Sequence, residues 1–170
     1  MRGYEEGTGP DPDPTDFLYV SDEQKERDLS RPYDPDTSCW IPDEKDGFIE
    51  GEIMETKEDS FMVCSGTETK EWKKDMVESL NPPKFEKCED MSEMIHLNTP
   101  SILYNLKSRF TNKLIYTYSG PSCIMINPYK RYPIYTDSVI EIYQGKRRNE
   151  VPPHLFGISN DAYSSMLQGK

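Results

Sequence analysis

The residue types best suited to chemistry in this chain cluster at residues 126–135, "INPYKRYPIY". Three tyrosines, two prolines and two cations follow directly on an apolar run, "CIMI". Proline supplies a rigid face, and tyrosine supplies stacking area together with a hydroxyl. A wall of this kind suits a flat, polar ring such as a purine, which needs an apolar surface and one or two oriented hydrogen-bonding groups. The same composition also describes a surface loop stiffened by proline, and the residues alone leave both readings open. Other chemistry is poorly supported. The four cysteines (Cys39, Cys64, Cys88, Cys123) are scattered without a Cys-x-x-Cys pair, and His96 and His154 are far apart. That spacing does not suit a structural zinc site and reads as reduced thiols in a cytosolic protein. His96 reads as a boundary histidine, and His154, following Pro152-Pro153, as a structural one.

The elements that must hold this stretch follow from periodicity and turn residues. Residues 1–16 are acidic and rich in Pro and Gly, and are expected to be disordered. "FLYVSDEQKERD" predicts one short helix over residues 17–28, anchored by Phe17, Leu18 and Val20, before "SRPYDPDTS" breaks it. From "CWIPD" through "KEWKKDMVESL", short strands alternate between turn-rich breaks, with Trp40 and Ile41 facing inward. This pattern predicts a small antiparallel barrel of about fifty residues. "NPPKFEKCED" reads as an extended linker. "LNTPSILYNLKSRF" predicts a helix capped by Thr99, with Pro100 in its first turn and Ile102, Leu103, Leu106 and Phe110 facing the core.

A hairpin is expected next, from Leu114–Tyr118 through Ser119-Gly120-Pro121-Ser122 into Cys123–Ile126. "TDSVIEIYQGK" predicts a helix capped at Thr136 or Asp137, with a Val139–Ile140–Tyr143 face and a stop at Gly145. A last helix is expected from Pro152-Pro153, with apolar positions at Leu155, Phe156, Ile158, Ala162, Tyr163, Met166 and Leu167.

The net charge of −11 is unevenly distributed. Residues 1–60 hold 19 acidic and 6 basic residues, whereas residues 61–170 hold 12 and 14. An acidic chain is badly suited to coat nucleic acid, where phosphate neutralisation dominates affinity. Lys146-Arg147-Arg148 is too short to alter that and reads as a solvated face. No apolar run approaches the roughly 18–20 residues that span a bilayer, and the start, "MRGYEEGTGPDPDP", lacks a signal pattern. Neither nucleic acid nor membrane is an expected partner.

Seven segments in order, "CWIPDEKDGFIEGEI", "NPPKFEKCEDM", "LYNLKSRF", "LIYTYSG", "INPYKRYPIYT", "YQGKRRNEVPPHLFGISNDAY" and "ML", resemble the opening of a conventional, muscle-type (class II) myosin heavy chain. The resemblance covers residues 17–168. It implies a mixed fold: a Src-homology-3-like β-barrel, then an α+β segment of helix, β-hairpin and two helices that begins a P-loop-type motor domain. The implied division is a tail over 1–16, a helix and linker over 17–36, the barrel over 37–82, and the first part of the motor over 83–170. Residues 126–135 match the adenine side of the family's ATP pocket. The resemblance implies that Asn127 and Tyr135 offer polar contacts to the base, and that Pro128 and Tyr129 form its wall. Lys130, Arg131 and Tyr132 would then lie at the rim, with Lys130 at a position methylated in some members.

In the full-length family the cofactors are ATP and Mg. The implied partners are the remainder of the heavy chain, with actin and light chains reached through other parts, in the cytoplasm, cytoskeleton or muscle thick filament. Hydrolysis in this family needs a Gly-x4-Gly-Lys-Ser/Thr loop to cradle phosphate, and none occurs in these 170 residues, which end just before the place the resemblance assigns it. Weak or no nucleotide binding, and no catalysis, are therefore expected of this segment alone. Two places depart from the family pattern. Pro121-Ser122 replaces two apolar residues after "YSG", which is expected to weaken the hairpin, whose strands are also expected to lack sheet neighbours. "MIHLNTPS" places His96 where an apolar or hydroxyl residue is usual. The competing reading is a standalone, non-enzymatic module whose barrel binds a protein partner.

Overall fold

In a computed structural model that describes residues 12–169, a five-stranded antiparallel sheet precedes a helix, a hairpin and two further helices. The disordered tail expected over 1–16 falls largely outside the described residues. One helix was expected over 17–28, but there are two, α1 (Thr15–Leu18) and α2 (Asp22–Leu29). The break comes at Ser21, which adopts an extended backbone and caps α2 by accepting from the Gln24 amide at 3.3 Å. A capping hydroxyl satisfies one of the orphan donors of a first turn, and so starts a new helix rather than continuing the old one.

The sheet runs β4-β3-β2-β1-β5, with β1 (Ser38–Asp43), β2 (Gly47–Thr56), β3 (Ser60–Ser65), β4 (Glu68–Lys73) and β5 (Glu78–Ser79). Strand alternation turns Ile49, Gly51 and Ile53 of β2 toward Cys39, Ile41 and Val63, and Phe61, Trp72 and Val77 complete that core. The β2–β3 register shifts between Ile53 and Glu55, bending the long strand. Trp40 is buried on the opposite side of β1, where its indole N–H donates to Ser101 at 3.2 Å.

Between the sheet and the next helix, the expected extended linker is interrupted by a 3₁₀ turn, Pro83–Phe85. Proline forbids a helix interior but suits a first turn, where its missing N–H costs nothing. Helix α3 (Thr99–Thr111) forms where expected, but its cap is Asn98, whose side chain accepts from the Ser101 amide at 3.0 Å. Its buried face also differs from the expected apolar one. Leu103 and Phe110 are 45% and 38% exposed, and the residues turned inward are Pro100, Ser101, Asn105 and Arg109. The packing partners explain this. α3 lies against backbone carbonyls of residues 85–88, which Asn105 Nδ2 and Arg109 Nη1 contact at 3.0–3.4 Å. Buried carbonyls need donors, so a polar stripe fits there better than an apolar one.

The hairpin pairs β6 (Tyr116–Ser119) with β7 (Ser122–Met125). Its two-residue turn places Gly120 at φ 55°, with Pro121 in the second position. Only glycine takes the first position without strain, and Pro121 lies in the turn, so the ladder loses no donor. The outer edge of β6 is covered rather than bare: the Tyr118 amide donates to the Glu89 carbonyl at 2.8 Å, beside an isolated parallel bridge to Asp90. The expected loss of a ladder donor at Pro121 is thus absent, whereas the other expectation holds: the sheet stays two-stranded, with no further strand beside β7 among the described residues and Met125 51% exposed.

Helix α4 (Asp137–Tyr143) buries Val139 and Tyr143 while Ile140 stays exposed, and Gly145 at φ 70° follows it. Helix α5 (Leu155–Leu167) begins two residues later than expected, with His154 as its N-cap. Tyr163, Met166 and Leu167 along its second half are exposed. The second core gathers Leu18, Ile115, Tyr116, Tyr132, Ile134, Val139, Tyr143 and Val151 from α1, β6, the following loop and α4.

Candidate functional site

The segment after β7 alternates between anchors and exposed groups. Ile126 extends the hairpin by donating its amide to the Ile115 carbonyl at 3.0 Å. Asn127 then closes a local turn, its Oδ1 accepting from the Tyr129 amide at 2.8 Å. That turn holds Tyr129 at φ 52°, a left-handed conformation unusual for a bulky residue, and leaves its ring 93% exposed. A strained, exposed aromatic held this way is the kind of outlier from which function is inferred. With its carbonyl oxygen engaged, Asn127 has its amide N–H donors to offer a ligand. Pro128 is half-buried beneath, and Lys130 and Arg131 are exposed.

Tyr132, expected at the rim, instead belongs to the core. Its ring packs on Phe17 at 4.7 Å between centroids, and the Lys130 ammonium lies over the ring, 5.4 Å from its centroid. Tyr132, Pro133 and Ile134 are all buried and pin the loop to the second core. Tyr135 emerges from that anchor half-exposed, with its hydroxyl 2.8 Å from that of Tyr116. The predicted site residues are therefore neighbours on one stiffened loop, with Tyr129 and Tyr135 presenting aromatic surface on either side of a buried anchor.

Two residues that sequence reasoning did not place at the site support it. Tyr116 is buried, and removal from solvent together with its bond to Tyr135 pushes its phenol well above the usual range. His154 is 0% exposed, enclosed by the rings of Tyr116, Tyr135, Tyr143 and Phe156 at 4.6–5.5 Å. Burial holds its imidazole down at about 4, so it is neutral. Its Nδ1 accepts from the Phe156 amide at 3.1 Å, which puts the proton on Nε2. The signal available in the sequence was the placement of His154 two residues before an amide it could cap.

A second constellation lies at the junction of the five-stranded sheet with the rest. The Arg31 guanidinium binds Glu50 (2.6 and 2.7 Å), Glu86 (2.7 Å) and the Tyr104 hydroxyl (2.7 Å) beside a cavity of about 40 Å³ that Trp40 also lines. Next to it, Lys87 is buried between Asp28 and Glu86. These groups satisfy one another, so the cluster acts as a fastening. Among the described residues no group of three or more His, Cys, Asp or Glu could hold a metal, and no helix is long and apolar enough to cross a membrane.

Comparison with known proteins gives the family. Residues 25–81 match the myosin N-terminal SH3-like domain, and residues 88–170 match the myosin head, or motor domain. The chain belongs to the myosin family. Myosin-1 of Caenorhabditis elegans is 54% identical over 154 residues, which cover 89% of this chain and 8% of that relative. Myosin-3 of Caenorhabditis briggsae and of Caenorhabditis elegans are 50% and 49% identical, each over 156 residues, covering 91% of this chain and 8% of the relative. The chain thus spans about 8% of the length of these myosins. The expected family is borne out, as is the mixed fold, with the five-stranded sheet inside the SH3-like match. The hairpin, the loop at 126–135 and α5 all fall inside the myosin head match.

Proposed function

We propose that this chain forms part of an actin-dependent, ATP-driven myosin motor and supplies the adenine side of its nucleotide pocket. In this reading Pro128 and Tyr129 form the wall against the base, and Asn127 and Tyr135 offer it hydrogen bonds. Lys130 and Arg131 line the rim. The observation that carries the reading is the loop itself, in which buried Tyr132 and Ile134 fix the backbone while Tyr129 and Tyr135 remain exposed. Such preorganisation reduces the ordering a ligand must impose. Lys130 is the proposed methylation site, since its ammonium already lies over the Tyr132 ring, and methylation keeps the charge that such a contact needs.

The residues present suit an adenine ring; nothing among them supplies the Gly-rich cradle that triphosphate and Mg require. We therefore assign ATP hydrolysis, and contacts with actin and light chains, to the complete heavy chain, and predict no turnover by the 170-residue polypeptide alone. The test is ATP binding by a complete heavy chain carrying Tyr129→Ala or Asn127→Ala. Loss of a base–aromatic stack costs about 1–3 kcal/mol, roughly 5- to 150-fold in affinity. Unchanged affinity in both variants would refute the assignment.

A further inference from the structure

Tyr116 opens β6 and sends its side chain into the second core, so it is too deep to meet a ligand itself. A buried hydroxyl must place its proton on an acceptor, and the oxygen at 2.8 Å is that of Tyr135. Tyr135 is half-exposed and can direct its own proton outward. Tyr116 is therefore the donor of this pair and Tyr135 the acceptor. The raised pKa of the Tyr116 phenol agrees, since a donated bond stabilises the protonated form. The Tyr135 hydroxyl, fixed by that bond, keeps one lone pair and its own O–H for whatever meets the loop.

The pair is fixed from behind. The His154 ring lies edge-on to Tyr116 at 4.7 Å and tilted against Tyr135 at 5.5 Å. The His154 backbone is held in turn by Tyr118, two residues along the same face of β6. The Tyr118 hydroxyl donates to the His154 carbonyl and accepts from its amide, each at 3.3 Å. The start of α5, strand β6 and the loop thus converge on one hydroxyl.

We infer that Tyr116 is a positioning residue for nucleotide, fixing through its hydroxyl the orientation in which Tyr135 meets the edge of a purine base, with His154 holding the pair in register. This inference rests on the reading of residues 126–135 as the adenine side of the pocket. The test is a double-mutant cycle in a complete heavy chain: Tyr116→Phe, Tyr135→Phe and both together, read as equilibrium binding of ATP. Each change removes only an oxygen and keeps the ring that packs the core.

Tyr116→Phe is expected to weaken ATP binding by about 2- to 10-fold, the span of one net hydrogen bond. In the Tyr135→Phe background it is expected to change nothing. An equal loss in both backgrounds would mean a merely structural role and overturns the inference. So does wild-type binding by Tyr116→Phe when Tyr135→Phe is weakened, and in that case the adenine-side reading stands. If Tyr135→Phe binds as wild type, there is no hydroxyl to position and the inference is overturned. Tyr129→Ala then decides whether the adenine-side reading falls with it.

Discussion

Replacement of Arg109 probes how the helix before the hairpin is held. Its guanidinium is 2% exposed and makes three hydrogen bonds: Nε to Thr117 Oγ1 (2.9 Å), Nη1 to the Lys87 carbonyl (3.0 Å) and Nη2 to the Tyr116 carbonyl (2.7 Å). It thereby ties α3 to β6 and to the chain before α3. Dehydration lowers its pKa, with Glu89 opposing that shift from a distance. Arg109→Met keeps most of the volume and removes all three donors. At about 1.5–3 kcal/mol for each hydrogen bond from a charged donor, the gross loss is about 5–9 kcal/mol. Release from burying a cation returns several kcal/mol, which leaves a net loss of about 2–4 kcal/mol. Hydrogen exchange of the Tyr118 and Ile126 amides in a complete heavy chain should therefore quicken by roughly 30- to 700-fold. Arg109→Lys should lose most of the same protection, because a point ammonium cannot span acceptors arranged around a planar fork. Protection equal to or above wild type in Arg109→Met would refute the reasoning, since dehydration would then cancel the bonds. Full protection in Arg109→Lys would show that charge, not the fork, is what matters.

Two further predictions concern the cores. A Cβ on Gly51 would meet Val63 Cγ1 at 2.5 Å and the Cys64 carbonyl at 3.3 Å, so Gly51→Ala should destabilise the five-stranded sheet by about 1–3 kcal/mol; an unchanged urea midpoint, followed by tryptophan fluorescence, would show that Val63 yields freely. His154 is neutral when folded, with its proton affinity lowered to about 4 from 6.5, so the unfolded chain binds more protons between those values. Stability should accordingly be intact above about pH 6.5 and fall on acidification toward pH 4, by up to about 1.4 kcal/mol per pH unit. His154→Asn, which retains a capping oxygen but does not titrate, should remove that part of the slope, and an unchanged slope would assign it elsewhere.

Where the sequence was legible, a short-range rule decided the outcome. Short alternating runs between turn-rich breaks made the strands readable, and Ser119-Gly120-Pro121-Ser122 made the hairpin turn readable. The stretch at 126–135 stood out as a proline-stiffened aromatic loop because its anchors and exposed groups are neighbours in sequence. What was not legible depended on what the rest of the chain presents. Apolar spacing put Leu103 and Phe110 inside, yet the surface opposite α3 holds a row of carbonyls that Asn105 and Arg109 answer, while Ser101 accepts from Trp40 and Asn81. Tyr132 read as one of three similar tyrosines until Phe17, from the far end of the chain, covered it. Asn98 and Thr99 are adjacent and both able to cap, so only backbone geometry separates them.

The same distinction bears on function. Tyr116 and Tyr135 are separated by nineteen residues, and His154 follows nineteen later, so no local pattern joins them. They meet because β6 sends alternate side chains to one face, where Tyr116 and Tyr118 engage the ring and the backbone of His154 respectively. The exposed part of the loop is what a ligand would touch, whereas its orientation is set by residues buried for reasons of core packing. Under the proposed adenine-side assignment, a substitution in that core acts on nucleotide affinity without contacting nucleotide. The Tyr116–Tyr135 cycle separates this route from a general loss of stability: coupling through one hydroxyl disappears when Tyr135 lacks its oxygen, whereas loosening of the core would persist.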